Sequence, residues 1–387
     1  MEDKIKTLKN SLEKLKKKEH KMLIFLPSMP NPSGGIAVAY KFMKILNELG
    51  YNTTVVHEKN DYTLPTWLGD GYDKINHLSL EGGKLTVSPE DFFIIPEGFA
   101  NVIEQTKNLP CKRIVLAQSW VYILNSLAPG QSWVDSGINE CIAVNDTLAK
   151  YIQDLFGDRL NVSVCRPSIP SYFNKPTKPK KPIIAISSRE QMLGFNIIKH
   201  FYMKYPQYRW ITFRDMHGLS REDFAEGLKE SCLGVWIDRI SGFGTFPIEC
   251  AKTNTPYIGL LPDLLPEFAN ENSGIWTQDL LQIPDLIGSY IKTWLEDSVP
   301  TEIYSGLEEM ASKYTEEQEK INVEETFASL ITDRVIELNS AIMGHEQALL
   351  NDQQYQQQLK IAKSLAEIEA KYSKTEDKKE EVKEVIK

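Results

Sequence analysis

Short apolar runs recur through most of this chain, each followed by a stretch with helical spacing, and this alternation narrows the possible folds more than any other feature. The first series is Met22–Pro27, Tyr51–Val56, Phe92–Ile95, Arg113–Ala117 and Cys141–Val144. A second follows at Ile183–Ile186, Trp210–Phe213, Leu233–Ile237 and Pro256–Leu260. Short buried strands separated by helices predict parallel sheets covered on both faces. The spacing predicts a helix over Ile36–Leu49, with Gly50 as its left-handed stop. Between the two series lies Lys175-Pro-Thr-Lys-Pro-Lys-Lys-Pro182, which reads as a stiff, solvated linker. The expected fold class is therefore α/β: two Rossmann-like, doubly wound domains facing a cleft, with ligands at the carboxyl ends of the strands. The expected division is a basic amphipathic helix at 1–20, a first domain at 21–172, the linker at 173–182 and a second domain at 183–300. Helices follow at 301–335, then a helical, coiled-coil-like or disordered tail at 336–387.

Composition excludes several classes. A formal net charge of −9 argues against a broad nucleic-acid surface. The 5 cysteines form no Cys-x-x-Cys pair and sit in apolar segments, as reduced core thiols do. The 6 histidines are dispersed, so no metal site is expected. No apolar run approaches the roughly 18–20 residues of a spanning helix, and the lysine-rich start has no apolar signal core. A cytoplasmic location is the expectation.

Both ends read as attachment devices. Ile5, Leu8, Leu12 and Leu15 make one narrow apolar seam on a lysine-rich helix. That pattern suits self-association or docking to a partner helix; the alternative is weak peripheral contact with an anionic membrane. In the tail, Ile361, Leu365, Ile368 and Tyr372 form another seam, after a glutamine-rich run at Gln353–Gln358.

The richest motif is Ser241-Gly-Phe-Gly-Thr-Phe-Pro-Ile-Glu249. It follows the apolar run Leu233–Ile237 and opens a helix near Phe246. Gly242 and Gly244 let backbone N–H groups approach a ligand where the helix dipole is positive. Pro247 suits the first helical turn, and Glu249 lies one turn in. Together these residues make a plausible cradle for a nucleoside diphosphate.

The stretch resembles the donor motif of the retaining glycosyltransferases of family 4, Glu-x7-Glu with an inner Gly-Phe-Gly. Gly242, Phe243, Gly244 and Glu249 match; Ser241 stands where the first Glu is expected. Thr255–Gly259, Leu265-Pro266-Glu267 and Asn272–Ile275 resemble the segments that follow in the family. The resemblance implies a GT-B fold and sugar transfer from a nucleotide-diphosphate donor to an unidentified acceptor, with retention and without metal or cofactor. It also implies roles. Arg189 would hold the diphosphate beside Ser188, with Gly242–Thr245 supplying N–H groups next to Ser241 in the donor site, and Glu249 would hold the ribose. Glu267 would contact the donor, while Gly34 and Gly35 close from the first domain. The lysine that usually follows the arginine is absent from Gln191–Phe195. Arg166–Pro170 resembles the family's segment before the linker, with Ser168-Ile169 replacing its Asn-Gly. Gln118 takes the place of a histidine near the sugar, and Asp238 is a candidate substitute for the missing acid. Glu97 ends a strand at the cleft and joins Arg189 and Glu249 as a candidate catalytic residue. The rival reading is a catalytically degenerate GT-B protein that binds nucleotide sugars or acts as a scaffold.

Overall fold

The computed structural model describes residues 2–29, 33–60, 64–81, 85–270 and 272–385, with the side chains of residue 366 and of 368–385 outside that description. Among the described residues, twelve strands form two wholly parallel sheets. The first contains β1 (Lys21–Phe25), β2 (Asn52–His57), β3 (Asn76–Ser79), β4 (Phe92–Pro96), β5 (Lys112–Ala117), β6 (Glu140–Ala143) and β7 (Asn161–Val164). Its order is β3-β2-β1-β4-β5-β6-β7. The second contains β8 (Lys181–Ser188), β9 (Thr212–Asp215), β10 (Ser231–Ile237), β11 (Tyr257–Leu260) and β12 (Ile275–Thr277), in the order β12-β11-β10-β8-β9. The strands read from apolar runs are all present within two or three residues. The edge strands β3, β7 and β12 were not expected, because they are only partly buried and lack a continuous apolar run.

The helices are α1 (Glu2–Lys16), α2 (Gly34–Glu48), α3 (Ala100–Gln105), α4 (Trp120–Ser126), α5 (Asp146–Phe156), α6 (Gln191–Lys204), α7 (Arg221–Glu230), α8 (Thr245–Lys252), α9 (Ile283–Leu295), α10 (Thr301–Ser312) and α11 (Glu316–Val385). As the sequence implies, α2 stops at Leu49 and Gly50 takes φ +90°. Among the described residues no helix is long and apolar enough to cross a membrane.

Strand order fixes where a ligand can sit. In the first sheet the chain runs outward from β1 in one direction and from β4 in the other; in the second, β8 and β10 are the corresponding pair. Connections leaving such neighbours on opposite sides open a crevice at their carboxyl ends. The segments placed there are Gly34-Gly35, Glu97, Ser188-Arg189 and 238–245.

The chain divides into two compact units, 18–330 and 1–17 with 331–387. Within the larger unit, one apolar cluster runs from the first sheet's core, through Trp133 and Phe173, to Trp236, Phe246 and Tyr314. The start of α11 returns to the first domain. Lys41 of α2 pairs with Glu319 at 2.9 Å, and Phe327 packs on Phe42 with ring centres 5.5 Å apart. In the smaller unit the α1 seam of Ile5, Leu8, Leu12 and Leu15 is buried, and Lys9 pairs with Glu346 at 2.6 Å. Helix α11 runs unbroken through the expected boundary at 335/336. The expected seam residues Ile368 and Tyr372 lie outside the described side chains.

The Pro/Lys stretch is not solvated throughout. Lys180 donates to the carbonyls of Leu228 and Thr253 and to Thr255 Oγ1 at 2.6–3.3 Å, so it closes the carboxyl ends of α7 and α8. Burial pulls its ammonium down to about 8.

Strand β10 and helix α8 pack so closely that Gly234 cannot carry a side chain. An added Cβ would meet Cys250 Sγ at 2.8 Å and the Phe246 ring at 3.2 Å. We expect Gly234→Ala to cost about 1–3 kcal/mol by overpacking, read as a lower urea midpoint with an unchanged m-value.

Candidate functional site

The loop after β10 sits on an aromatic floor. Gly244 takes φ +74°, and a Cβ there would press on Trp236 at 3.0 Å and Phe268 at 3.2 Å. Its N–H donates to Ser241 Oγ at 3.0 Å. Ser241 therefore ties the turn internally, and one of the N–H groups expected to face a ligand is already used. Thr245 begins α8, whose opening N–H groups have no intrahelical acceptor. Helix α8 thus presents donors and the positive end of its dipole to the crevice.

Gly242 serves a different purpose. Its Cβ would fall inside contact distance of the Gln118 carbonyl oxygen and 2.9 Å from Ser119 Cα. The glycine is there because the backbone of the other domain touches it. Gln118 also donates from Nε2 to the Gly35 carbonyl at 3.1 Å, and a Cβ on Gly35 would meet that amide at 3.4 Å. A Cβ on Gly34 would meet open space. Gly34, Gly35, Gln118, Ser241 and Gly242 are thus brought together, with Gln118 at the junction. Asn145, which the sequence places at a strand end facing the cleft, completes it. Its Nδ2 donates to the Gly242 carbonyl at 2.7 Å, while its Oδ1 caps α5 by accepting from Leu148 N. The signal was an Asn at a strand end before a helix; its second partner lies 97 residues away and has no local signature.

Glu97 lies beneath this junction, 2 % exposed, and accepts from Ser119 N at 2.7 Å. Burial pushes its carboxyl up to about 7, against the opposing pull of N–H groups of Gln118, of Glu97 itself and of Ser119. It holds the 117–119 loop rather than opening onto the cleft.

The three expected charged contacts each have a protein partner. Arg189 leaves the end of β8 next to Ser188, whose hydroxyl donates to the Glu190 carbonyl at 2.7 Å. The Arg189 Nε donates to both Asp238 oxygens at 3.1 Å, and Tyr122 of the first domain lies beside it. Asp238 also accepts from Ile240 N, so it orients the arginine and the loop; its geometry is not that of a free sugar ligand. Arg189 keeps 46 % of its side-chain surface exposed. Glu249 differs from the expectation of an open carboxylate. It is 1 % exposed and accepts from Arg221 Nη2 at 2.8 Å, with Arg221 stacked 5.0 Å over the Phe173 ring. Glu267 also differs. It accepts from Arg166 Nε at 2.6 Å, Asp146 N at 3.1 Å and the Tyr314 hydroxyl at 3.0 Å, and Arg166 reaches on to Asp146. Burial opposes its charge, but these donors outweigh it and hold the carboxyl below its ordinary value. Glu267 is an interdomain clasp. A polar cavity of about 590 Å³ adjoins it, lined by residues including Asn270, Lys313 and Gln318.

No protein-family model matches the sequence. Over 234 residues the chain is 24% identical to an alpha-1,6-glucosyltransferase of Actinobacillus pleuropneumoniae serotype 7, covering 59% of this chain and 68% of that protein. The sucrose-phosphate synthase of Thermosynechococcus elongatus superposes with a TM-score of 0.61 at 11% identity, over 81% of this chain and 100% of that one. Anabaena HepE, solved in complex with UDP, gives 0.57 at 13%, again over 81% and 100%. The chain has the GT-B fold. In this GT-B chain Arg189 is an exposed cation at the carboxyl end of β8.

Two outcomes follow from the buried charges. Because the folded value of Glu97 lies above its ordinary 4.5, it contributes stability below about pH 4.5 that is lost as pH rises through about 7. Glu97→Gln keeps an acceptor for Ser119 N–H but cannot ionise. We expect the stability of the wild type relative to this variant to fall by about 3 kcal/mol between pH 4.5 and 8, measured by urea unfolding across that range. Arg221→Met strands the Glu249 carboxylate and should cost about 3 kcal/mol. Adding Glu249→Leu should restore part of that loss, measured as a double-mutant cycle.

Proposed function

We propose that this protein is a glycosyltransferase that takes a glycosyl group from a nucleoside-diphosphate sugar bound in the crevice and passes it to an acceptor hydroxyl. The observation that carries the reading is Arg189, a half-exposed guanidinium at the carboxyl end of β8, held by Asp238 on the loop that leads from β10 into α8. A planar cation beside a helix start matches a departing diphosphate. The related glucosyltransferase makes glucose the first sugar to test, and the UDP complex of the fold neighbour makes uridine the first nucleoside.

The reaction we propose proceeds with retention. The bond from the anomeric carbon to the diphosphate oxygen breaks, and the acceptor oxygen bonds that carbon on the same face. The acceptor proton passes to the departing diphosphate. Arg189 and the α8 N–H groups take up the developing charge, so this scheme uses no metal or cofactor. Asp238 positions the arginine, Ser241 and Gly242 shape the turn, and Gly34-Gly35 form the facing wall. Glu97 and Gln118 keep that wall in place.

A second reading has its own support. Ser241 replaces an acid, and Glu249 and Glu267 are engaged by Arg221 and Arg166. Those positions suit a fold that binds nucleotide sugars without turning them over.

The test is calorimetric titration with UDP, GDP, ADP and UDP-glucose, followed by assay of sugar release and transfer. We expect one nucleotide to bind and Arg189→Ala to weaken it roughly 10–100-fold, as for loss of a charged hydrogen bond. Binding without any turnover of the matching sugar would favour the second reading. Binding of none of the four at millimolar concentration would overturn both.

A further inference from the structure

The polar cavity beside Glu267 has a lining of its own. Among the described residues that surround its volume of about 590 Å³, none is Arg189, Gly34, Gly35 or a member of Ser241–Thr245. It is walled by Asp146 and Arg166 of the first domain, by Glu267, Asn270 and Ser273 of the second, and by α10 and the first turns of α11. Its size lies within the roughly 300–1,000 Å³ of small-molecule clefts.

The charges of the lining exclude an anion. Three carboxylates, Asp146, Glu267 and Glu309, stand against two cations, and both cations are engaged. Arg166 bonds Glu267 and Asp146, and Lys313 bonds Glu309 at 2.8 Å. A phosphate or carboxylate ligand would meet an excess of negative charge and, among the described lining residues, no cation without a partner. Nor does the lining offer an open ring for a base to stack on. Its aromatic members, Phe268 and Tyr314, are buried.

What the lining does supply is carboxamide. Gln318 Nε2 donates to Asn322 Oδ1 at 3.0 Å across one turn of α11. Whichever way round the two amides stand, one oxygen and one nitrogen of the pair have no partner among the described residues. On the second domain, Asn270 Oδ1 accepts from Asn272 N and Ser273 N at 3.0 and 3.1 Å. Those bonds fix the side chain and leave Nδ2 as a donor. A hydroxyl both donates and accepts, so neighbouring hydroxyls of a sugar ring present a donor and an acceptor side by side. An amide pair with one oxygen and one nitrogen to spare is complementary to that arrangement. The wall that carries these groups is braced. The Tyr314 hydroxyl donates to Glu267 at 3.0 Å, and its ring packs edge-on against Phe243 and Phe268 with centres 5.7 and 6.4 Å away.

We propose that this cavity is a binding site for a neutral oligosaccharide, separate from the crevice, in which Gln318, Asn322 and Asn270 bond the sugar hydroxyls. The inference does not rest on the catalytic reading, since a chain that turns over no nucleotide sugar can still hold a saccharide here.

Saturation-transfer NMR of the full chain without nucleotide tests it. The neutral probes are maltotriose, isomaltotriose and cellotriose, and citrate is the anionic control. We expect at least one trisaccharide to bind with a Kd of about 1 mM or below, and citrate not to bind. Gln318→Ala with Asn322→Ala should weaken that binding about 10-fold or more, as for two lost hydrogen bonds, with the unfolding midpoint unchanged. Gln318 is exposed, so Gln318→Trp can fill the cavity from the surface of α11 and should abolish binding. Arg189→Ala should leave the saccharide's affinity as it is. The proposal is overturned if no trisaccharide shows saturable binding up to about 50 mM, if citrate alone binds, or if binding survives Gln318→Trp. Loss of binding in Arg189→Ala would put the sugar in the crevice and overturn the separate site.

Discussion

The crevice depends on one close approach, the backbone of Gly242 against the backbone of Gln118 and Ser119. Any side chain at 242 would force the two sheets' loops apart, since neither neighbour is the end of a flexible side chain. Asn145 reinforces the approach by spending one amide on two tasks, capping α5 and holding the Gly242 carbonyl. Gln118 passes the register on to Gly35 at the start of α2. Around Gly242 the crevice walls are therefore set by uncharged contacts, beside the charged clasp of Glu267 with Arg166. Such contacts are short-ranged and leave charge at the site free for other work.

Charge is distributed accordingly. Three arginine–carboxylate groupings lie in this unit, and the partners of each separate their tasks. Arg221–Glu249 and Arg166–Glu267 are enclosed or bonded on several sides, where an ion pair contributes more to a defined geometry than to net stability. Arg189–Asp238 lies at a strand end with the cation partly open to solvent. Of the three, it is the arrangement that an incoming anion can join without displacing a buried partner. Glu97 adds a buried carboxyl under the same loop, raised by burial, so the loop that meets Gly242 rests on a group whose charge changes near neutral pH.

How much of this the sequence disclosed depends on the range of each interaction. The inner strands were legible because a strand buried on both faces must be apolar along most of its length, as β10 is from Cys232 to Ile237. Strands β3, β7 and β12 were not, because an edge needs apolar residues on only part of its surface. The glycine turn and the start of α8 were legible from Gly244 and Pro247, whose demands are local. The roles of Glu249 and Glu267 were open in the sequence, because Arg221 and Arg166 lie 28 and 101 residues away. Gly242 was expected to make room for a ligand, and it makes room for the other domain. The two cases look alike in sequence, since both need only a missing Cβ.

The most direct measurement is hydrogen exchange of the full chain with and without saturating UDP or the nucleoside diphosphate that binds in its place. If the ligand lies between the sheets against Arg189 and the α8 start, peptides covering 186–190 and 238–248 should gain protection together with 117–120 from the facing domain. Protection confined to one sheet, or appearing only away from these three segments, would contradict a donor site in the crevice.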